Sequence, residues 1–157
     1  MAVDVEKDDA KDRVVRDTIP INKFMIHILF DSGCTHSFIA HRIVKKLGLL
    51  ISTLPYPIIV TAAKGEPEYT TLGVKKLEFE IQGATFVWDF ILYGLRDYDV
   101  ILGMDWLSSN KAFLDCERKR VLRGPCKSDM ELIFQGSLID KSSCIVTCAQ
   151  AQKLIAQ

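Results

Sequence analysis

The sequence predicts an all-β protein. Most apolar residues fall in short β-prone runs, residues that favour turns separate these runs, and few stretches repeat with the period of a helix. With 157 residues, of which 48% are hydrophobic and 25% charged, the chain has the size and composition of one globular domain. We expect a disordered lead-in over residues 1–13, a folded domain over 14–139, and a linker with a helical tail over 140–157.

Two hairpins are predicted in the first half of the chain. Residues 18–21 and 24–30 are apolar and flank a short polar turn, which is typical of two antiparallel strands. Pro20 is expected on an outer edge, because proline cannot donate a hydrogen bond to a neighbouring strand. Residues 57–63 and 69–72 flank a polar turn that contains glycine and predict a second hairpin.

The later strands are predicted from alternation and from short apolar runs between turns. They cover residues 74–81, 85–92, 98–102, 112–114, 121–122 and 131–139. Many short strands with few helices favour a closed or sandwich-like barrel.

Helical patterns are few. Residues 38–47 carry an apolar side chain at every fourth position, and Ser37 is the predicted N-cap of this helix. Asp105 is the predicted cap of a second, short helix. Residues 149–156 predict a third helix near the end of the chain.

Composition gives no sign of a nucleic-acid or membrane partner. The formal net charge is zero, no apolar run has the length of a membrane span, and the first residues do not resemble a signal peptide. The five cysteines are odd in number and irregularly spaced, which predicts thiols in a reducing, cytoplasmic compartment. No cysteine pair has the spacing of a zinc site, so we expect neither a metal nor another cofactor.

The chemically distinctive stretch is residues 24–39, in which an apolar run ends at Asp31-Ser32-Gly33. A carboxylate at the end of a buried strand is costly to desolvate, which indicates a chemical role. Aspartate, serine and glycine are also turn formers, so a plain turn is the alternative interpretation.

A second motif covers residues 99–107 and reads Asp-Val-Ile-Leu-Gly-Met-Asp-Trp-Leu. Together with residues 30–39, which read Phe-Asp-Ser-Gly-Cys-Thr-His-Ser-Phe-Ile, it resembles a retropepsin. The similarity is to the aspartic protease domain of plant gypsy-class LTR-retrotransposon Gag-Pol polyproteins, and it extends over residues 18–135.

The resemblance implies a single-lobed retropepsin-like barrel and an aspartic endopeptidase that processes its own polyprotein. Such an enzyme uses two aspartates, which share one proton and activate a water molecule. Because this chain has the Asp-Ser-Gly motif once, we expect a homodimer with Asp31 from each chain in the dyad. The expected partners are a second copy and an extended peptide substrate, and no metal or cofactor takes part.

The resemblance also assigns roles to neighbouring residues. Ser32, Gly33, Cys34 and Thr35 are expected to support the catalytic loop, Ala62, Ala63, Lys64 and Gly65 to form a flap over the substrate, and Ile101, Leu102 and Gly103 to pack beneath the loop. Asp99 is read as a loop residue, and Trp88 and Trp106 as core or dimer-rim aromatics.

Cys34 departs from the family pattern, which prefers alanine or serine there. We interpret it as a buried substitute for alanine rather than a nucleophile, because the sequence shows no base beside it.

Two alternatives to an active protease remain. One is a decayed retropepsin fold that acts as a dimerisation or peptide-binding module, and the other is an unrelated β-barrel in which Asp-Ser-Gly is only a turn.

Overall fold

A computed structural model describes residues 14–62, 67–95, 98–124, 131–135 and 149–153. The elements in these ranges are β1 (Val14–Ile21), β2 (Phe24–Asp31), β3 (Phe38–Ala40), α1 (His41–Leu47), β4 (Ser52–Ala62), β5 (Glu68–Ile81), β6 (Ala84–Tyr93), β7 (Val100–Leu102), α2 (Met104–Ser109), β8 (Ala112–Asp115), β9 (Arg120–Arg123), β10 (Glu131–Gln135) and β11 (Ala149–Lys153). The predicted all-β fold is confirmed. The predicted lead-in lies outside the described residues, and neither described helix is long and apolar enough to cross a bilayer.

The strands form two sheets. The larger has the order β1-β2-β7-β3-β6-β5-β4-β11, and the smaller has the order β10-β9-β8. Two pairs of neighbouring strands in the larger sheet are parallel. They are β2 with β7, where Phe30 lies opposite Leu102, and β3 with β6. The parallel pairing of β2 with β7 brings the carboxyl ends of two strands together, so that the residues after Phe30 and Leu102 meet at one place.

Both predicted hairpins are present, with longer strands than the sequence indicated. In the first, β1 pairs antiparallel with β2, and Pro20 lies opposite Met25 on the outer strand of the sheet. The connecting residues Asn22 and Lys23 both have positive φ, 48° and 72°, which is the backbone of a tight two-residue hairpin turn. In the second hairpin β4 pairs with β5, and residues 63–66 lie outside the described part of the chain.

The main core is organised around Trp106 of α2, which is fully buried. Its ring centroid lies 5.8 Å from that of Phe30 and 5.2 Å from that of Phe86. Phe134 of β10 also packs on Phe30, at 5.3 Å between centroids. The small sheet, α2 and β2 are therefore joined through one aromatic cluster, which holds the end of β2 in place.

A second apolar cluster lies beneath the loop that follows β2. It consists of Leu29, Cys34, Phe38, Ile58, Val60, Ile91 and Ile101. Because two of these residues belong to β4, the cluster packs the second hairpin against this loop.

The first predicted helix begins later than expected. Phe38–Ala40 is strand β3, and α1 begins at His41 without a side-chain cap, so the prediction that Ser37 caps a helix is wrong. All three residues of β3 are buried between β6 and β7, and pairing on both sides outweighs the local helical pattern. Gly48 ends the helix with φ of 66°, a left-handed conformation that favours glycine.

The predicted helix over residues 149–156 is also wrong where the chain is described. Ala149–Lys153 is strand β11, which pairs antiparallel with β4 over Ile58–Ala62. A short isolated helix is marginally stable in water, whereas a strand on the edge of β4 completes backbone hydrogen bonds of an existing sheet.

The small sheet contains an ion pair with a predictable pH response. Arg120 Nη2 lies 2.7 Å from Asp115 Oδ2, and this hydrogen bond holds the pKa of Asp115 below its ordinary value, with the backbone N–H of Arg118 acting in the same direction. Because the folded-state pKa is below that of the unfolded chain, the pair stabilises the fold at neutral pH. This stabilisation is lost as the pH falls through the folded-state pKa.

Asp115→Asn is therefore expected to lower the free energy of unfolding at neutral pH by about 0.2–1 kcal/mol, the usual size for a partly exposed pair. The difference from wild type should shrink to nothing in strongly acidic solution. Urea unfolding across the pH range measures this, with Glu117→Gln in the same exposed turn as the control. A deficit that stays constant with pH would contradict the assignment.

Candidate active site

Asp31 is the last residue of β2, and it is only 1% exposed. The two buried residues before it belong to different clusters: Phe30 to the main core and Leu29 to the second apolar cluster. Asp31 therefore lies where the two clusters meet. Gly33 donates its backbone N–H to Asp31 Oδ1 at 2.7 Å, and the Cys34 thiol donates to Oδ2 at 3.2 Å. The loop itself therefore compensates for the desolvation of this carboxylate.

The Asp-Ser-Gly segment is both a turn and a chemical motif. The bond from Gly33 to Asp31 Oδ1 joins a side chain to the backbone two residues on, which is a common way for aspartate to close a turn. Cys34 N–H also donates to the backbone oxygen of Asp31 at 3.3 Å. The turn and the chemical interpretation are thus compatible, since the turn fixes the carboxylate.

The loop is attached to the start of α2. Met104 donates its backbone N–H to Cys34 O at 2.7 Å. Gly103 lies against the same loop, and a Cβ atom there would stand 2.3 Å from His36 O and 2.8 Å from Cys34 O. Only glycine allows this approach.

A carboxylate network reinforces the attachment. Ser37 donates its hydroxyl to Asp105 Oδ1 at 2.7 Å and its backbone N–H to Oδ2 at 3.1 Å. The Ser37 hydroxyl oxygen accepts the N–H of Gly103 at 3.1 Å, and Trp88 Nε1 donates to Asp105 Oδ2 at 3.3 Å. The prediction that Asp105 caps α2 is therefore wrong, because the N-cap is Gly103. Asp105 lies in the first turn of the helix, where it accepts the N–H of Trp106 at 2.7 Å and ties the helix to the loop.

Asp99 lies in the loop before β7, as predicted, and it makes contacts that the sequence did not reveal. It is 7% exposed, and its Oδ2 accepts the backbone N–H of His27 at 2.8 Å. Its Oδ1 lies 2.8 Å from Arg42 Nη2, and Arg42 also donates to Leu95 O and Tyr98 O. Asp99 and Arg42 thus fasten α1 to the sheet beside β7.

The structure places the other predicted site residues as follows. Ser32 is half-buried, and Thr35 is exposed with its Oγ1 2.9 Å from His36 Nδ1. Ile101 and Leu102 are buried in β7 opposite Leu29 and Phe30. Ala62 ends β4, while Ala63, Lys64 and Gly65 lie outside the described residues.

A cleft of about 400 Å³ opens beside the loop, and the sequence did not reveal it. Its lining is His36, Leu54, Pro55, Tyr56, Ile58, Lys76, Val87, Trp88, Asp89, Phe90, Ile91 and Asp105. These residues come from the loop, three strands and α2, so no local pattern in the sequence marks them.

A buried strand that ends in aspartate, a loop closed by glycine, and a second glycine that seats the loop on a helix together define a single-lobed aspartic protease fold. The chain belongs to the retroviral aspartyl protease family, whose sequence model matches residues 1–129. The alternative of an unrelated β-barrel is therefore excluded.

A solved structure shows the same fold. The crystal structure of the retroviral protease-like domain of Ddi1 from Leishmania major matches with a TM-score of 0.60 and 15% sequence identity, over 82% of this chain and 98% of that one. A search of curated proteins finds no significant match.

Gly103→Ala is expected to destabilise the fold by about 1–3 kcal/mol, because the added methyl group meets backbone oxygens that cannot move aside cheaply. Gly94→Ala is the matched control, since a Cβ at Gly94 meets nothing within 4 Å. Urea unfolding of the two variants measures the difference. Equal stability of the two would show that Gly103 does not hold the loop against α2.

Proposed function

We propose that this chain is an aspartic endopeptidase that acts as a homodimer, with Asp31 of each chain in one catalytic dyad. The observation that carries the proposal is the buried Asp31 carboxylate, held by the N–H of Gly33 in a chain of the retroviral aspartyl protease family. The motif occurs once, so a two-carboxylate site needs two chains.

The proposed mechanism follows from the proximity of two carboxylates. At a separation of about 3 Å both cannot be ionised, so the pair shares one proton and titrates as a unit. The ionised member takes a proton from a water molecule, which attacks the peptide carbonyl carbon. The protonated member donates to the carbonyl oxygen, and a proton is later delivered to the departing amine.

The proposed substrate is an extended peptide that pairs with β4 as a strand in place of β11, which occupies that side of Ile58–Ala62 in this structure. Support comes from Ile58 and Val60 of β4, which pack with Leu29 and Cys34 in the cluster beneath the Asp31 loop. An edge anchored in this way lies beside the loop that carries the carboxylate.

We further propose that the substrate is the Gag-Pol polyprotein of a plant gypsy-class LTR retrotransposon, processed in the cytoplasm or within virus-like particles. The motif resemblance at residues 30–39 and 99–107 supports this, as does a cysteine content typical of a reducing compartment.

Asp31→Asn is expected to lower peptide cleavage by about 10²–10⁴-fold or more, because the amide can neither take nor give the required proton. Fold and dimer should persist, since the side chains have nearly the same shape. Cleavage of a fluorogenic peptide at mildly acidic pH, with sedimentation of both chains, provides the measurement. Asp115→Asn, which removes a carboxylate of the small sheet, should retain cleavage.

Mixing the chains tests the shared dyad. An excess of Asp31→Asn chain should inhibit wild type by forming inactive heterodimers, and wild-type specific activity should rise with chain concentration. Inhibition that is absent at every ratio would contradict a shared site. A wild-type dimer that folds but never cleaves would instead indicate the decayed module.

β11 covers the proposed substrate edge, so weakening it should help substrates bind. Successive residues of a strand point their N–H groups to opposite sides, so either Gln150 or Ala151 donates to β4. The double variant Gln150→Pro/Ala151→Pro removes this donor in either case. We expect KM to fall several-fold with little change in kcat, because an intramolecular strand no longer competes with the peptide. Gln150→Ser/Ala151→Val, which keeps both N–H groups, is the control, and an unchanged KM would show that substrate does not use this edge.

A further inference from the structure

Cys34 makes a contact that its position in the sequence does not reveal. Its Sγ lies 3.2 Å from Asp31 Oδ2, and the side chain is fully buried. The other carboxylate oxygen accepts the N–H of Gly33 at 2.7 Å. Each oxygen of Asp31 therefore has a donor from its own loop. The interpretation of Cys34 as a mere substitute for alanine does not account for this geometry.

The thiol is held where it is by the surrounding structure. The backbone N–H of Cys34 donates to Asp31 O at 3.3 Å, and its carbonyl oxygen accepts from Met104 N at 2.7 Å. The peptide groups on both sides of its Cα are therefore fixed. The side chain packs among Leu29, Phe38 and Ile101 in the cluster beneath the loop. A thiolate there would place a second negative charge against a carboxylate in an apolar environment, so the protonated thiol is the form that fits.

We propose that Cys34 is a positioning residue for the catalytic aspartate: its S–H donates to Asp31 Oδ2, fixes the plane of the carboxylate and favours its ionised form. A hydrogen bond to a charged acceptor stabilises the charged state over the neutral one. An alanine in this position leaves that oxygen without the donor. The consequence for catalysis, though not the contact itself, rests on the proposed protease function.

Other described titratable groups on the elements around this loop are exposed, have partners of their own, or lie elsewhere against the cluster. They include His27 on β2, which is exposed, Arg16 on β1 with Tyr98 at 3.0 Å, Asp99 before β7 with Arg42 at 2.8 Å, Asp105 in α2 with Ser37 at 2.7 Å, and His36 in the loop with Thr35 at 2.9 Å. Tyr93 on β6 packs against the cluster beside Phe38, and burial raises its pKa. Cys34 is the titratable side chain that a described contact brings to Asp31.

The test compares wild type with Cys34→Ala and Cys34→Ser by carboxyl ¹³C NMR, following the titration of Asp31 at equal chain concentration. Loss of the donor in Cys34→Ala should move the titration midpoint up by about half to one pH unit. Cys34→Ser keeps a donor of similar size and should stay within a few tenths of a unit of wild type. Cys116→Ala removes another buried cysteine, outside the loop, and is the matched control.

Two results would overturn the proposal: a midpoint in Cys34→Ala equal to that of wild type, or an equal shift in alanine and serine variants. The second would mean that packing, not the donor, is responsible. If the protease is active, the acidic limb of its pH profile for kcat/KM should shift with the NMR midpoint, a readout that a purely structural role would not move.

A second measurement on the intact fold does not depend on the alanine variant. The infrared S–H stretching band of Cys34, identified by difference from Cys34→Ser, should move to higher frequency in Asp31→Asn and when Asp31 is protonated in wild type. A band that ignores both changes rejects the contact. Because neither spectroscopic readout needs peptide cleavage, an inactive enzyme would reject the proposed function alone, and an unmoved midpoint with intact cleavage would reject only this inference.

Discussion

The carboxylate of Asp105 receives the hydroxyl and backbone N–H of Ser37 from the loop and the N–H of Trp106 from its own helix. This contact joins two segments 68 residues apart in sequence. Gly103 makes the joint possible, because any larger residue would separate helix and loop. This joint positions Asp31, Cys34 and one wall of the cleft, since each belongs to the loop or to α2.

Most strands could be predicted from the sequence, since alternation and turn residues are local signals. The β1–β2 hairpin is an example, with Pro20 on the outer strand and a two-residue turn. Residues 38–40 could not be predicted as a strand, because their local pattern is helical and their pairing partners in β6 and β7 lie far along the chain. The strand at residues 149–153 was missed for the same reason, as its conformation depends on the edge of β4.

Within the candidate site, Asp31 could be predicted because an acid that ends a buried apolar run is unusual in itself. The partners of the other acids could not. Arg42 and Asp99 are 57 residues apart, and nothing local distinguishes Arg42 from the neighbouring lysines of α1. Likewise, the thiol contact of Cys34 depends on the path of the loop, which is set by packing on Leu29, Phe38 and Ile101 and by the bond from Met104, none of which a local pattern marks.

The parallel pairing of β2 with β7 limits when the Asp31 loop can close during synthesis of the chain. During synthesis, a ribosome that has reached the end of β6 has already released Asp31, but neither β7 nor α2 exists to close the loop around it. The entropy cost of closing this long segment must be met before its contacts can stabilise the site. The loop that carries Asp31 can therefore close only after β7 and α2 have been synthesised.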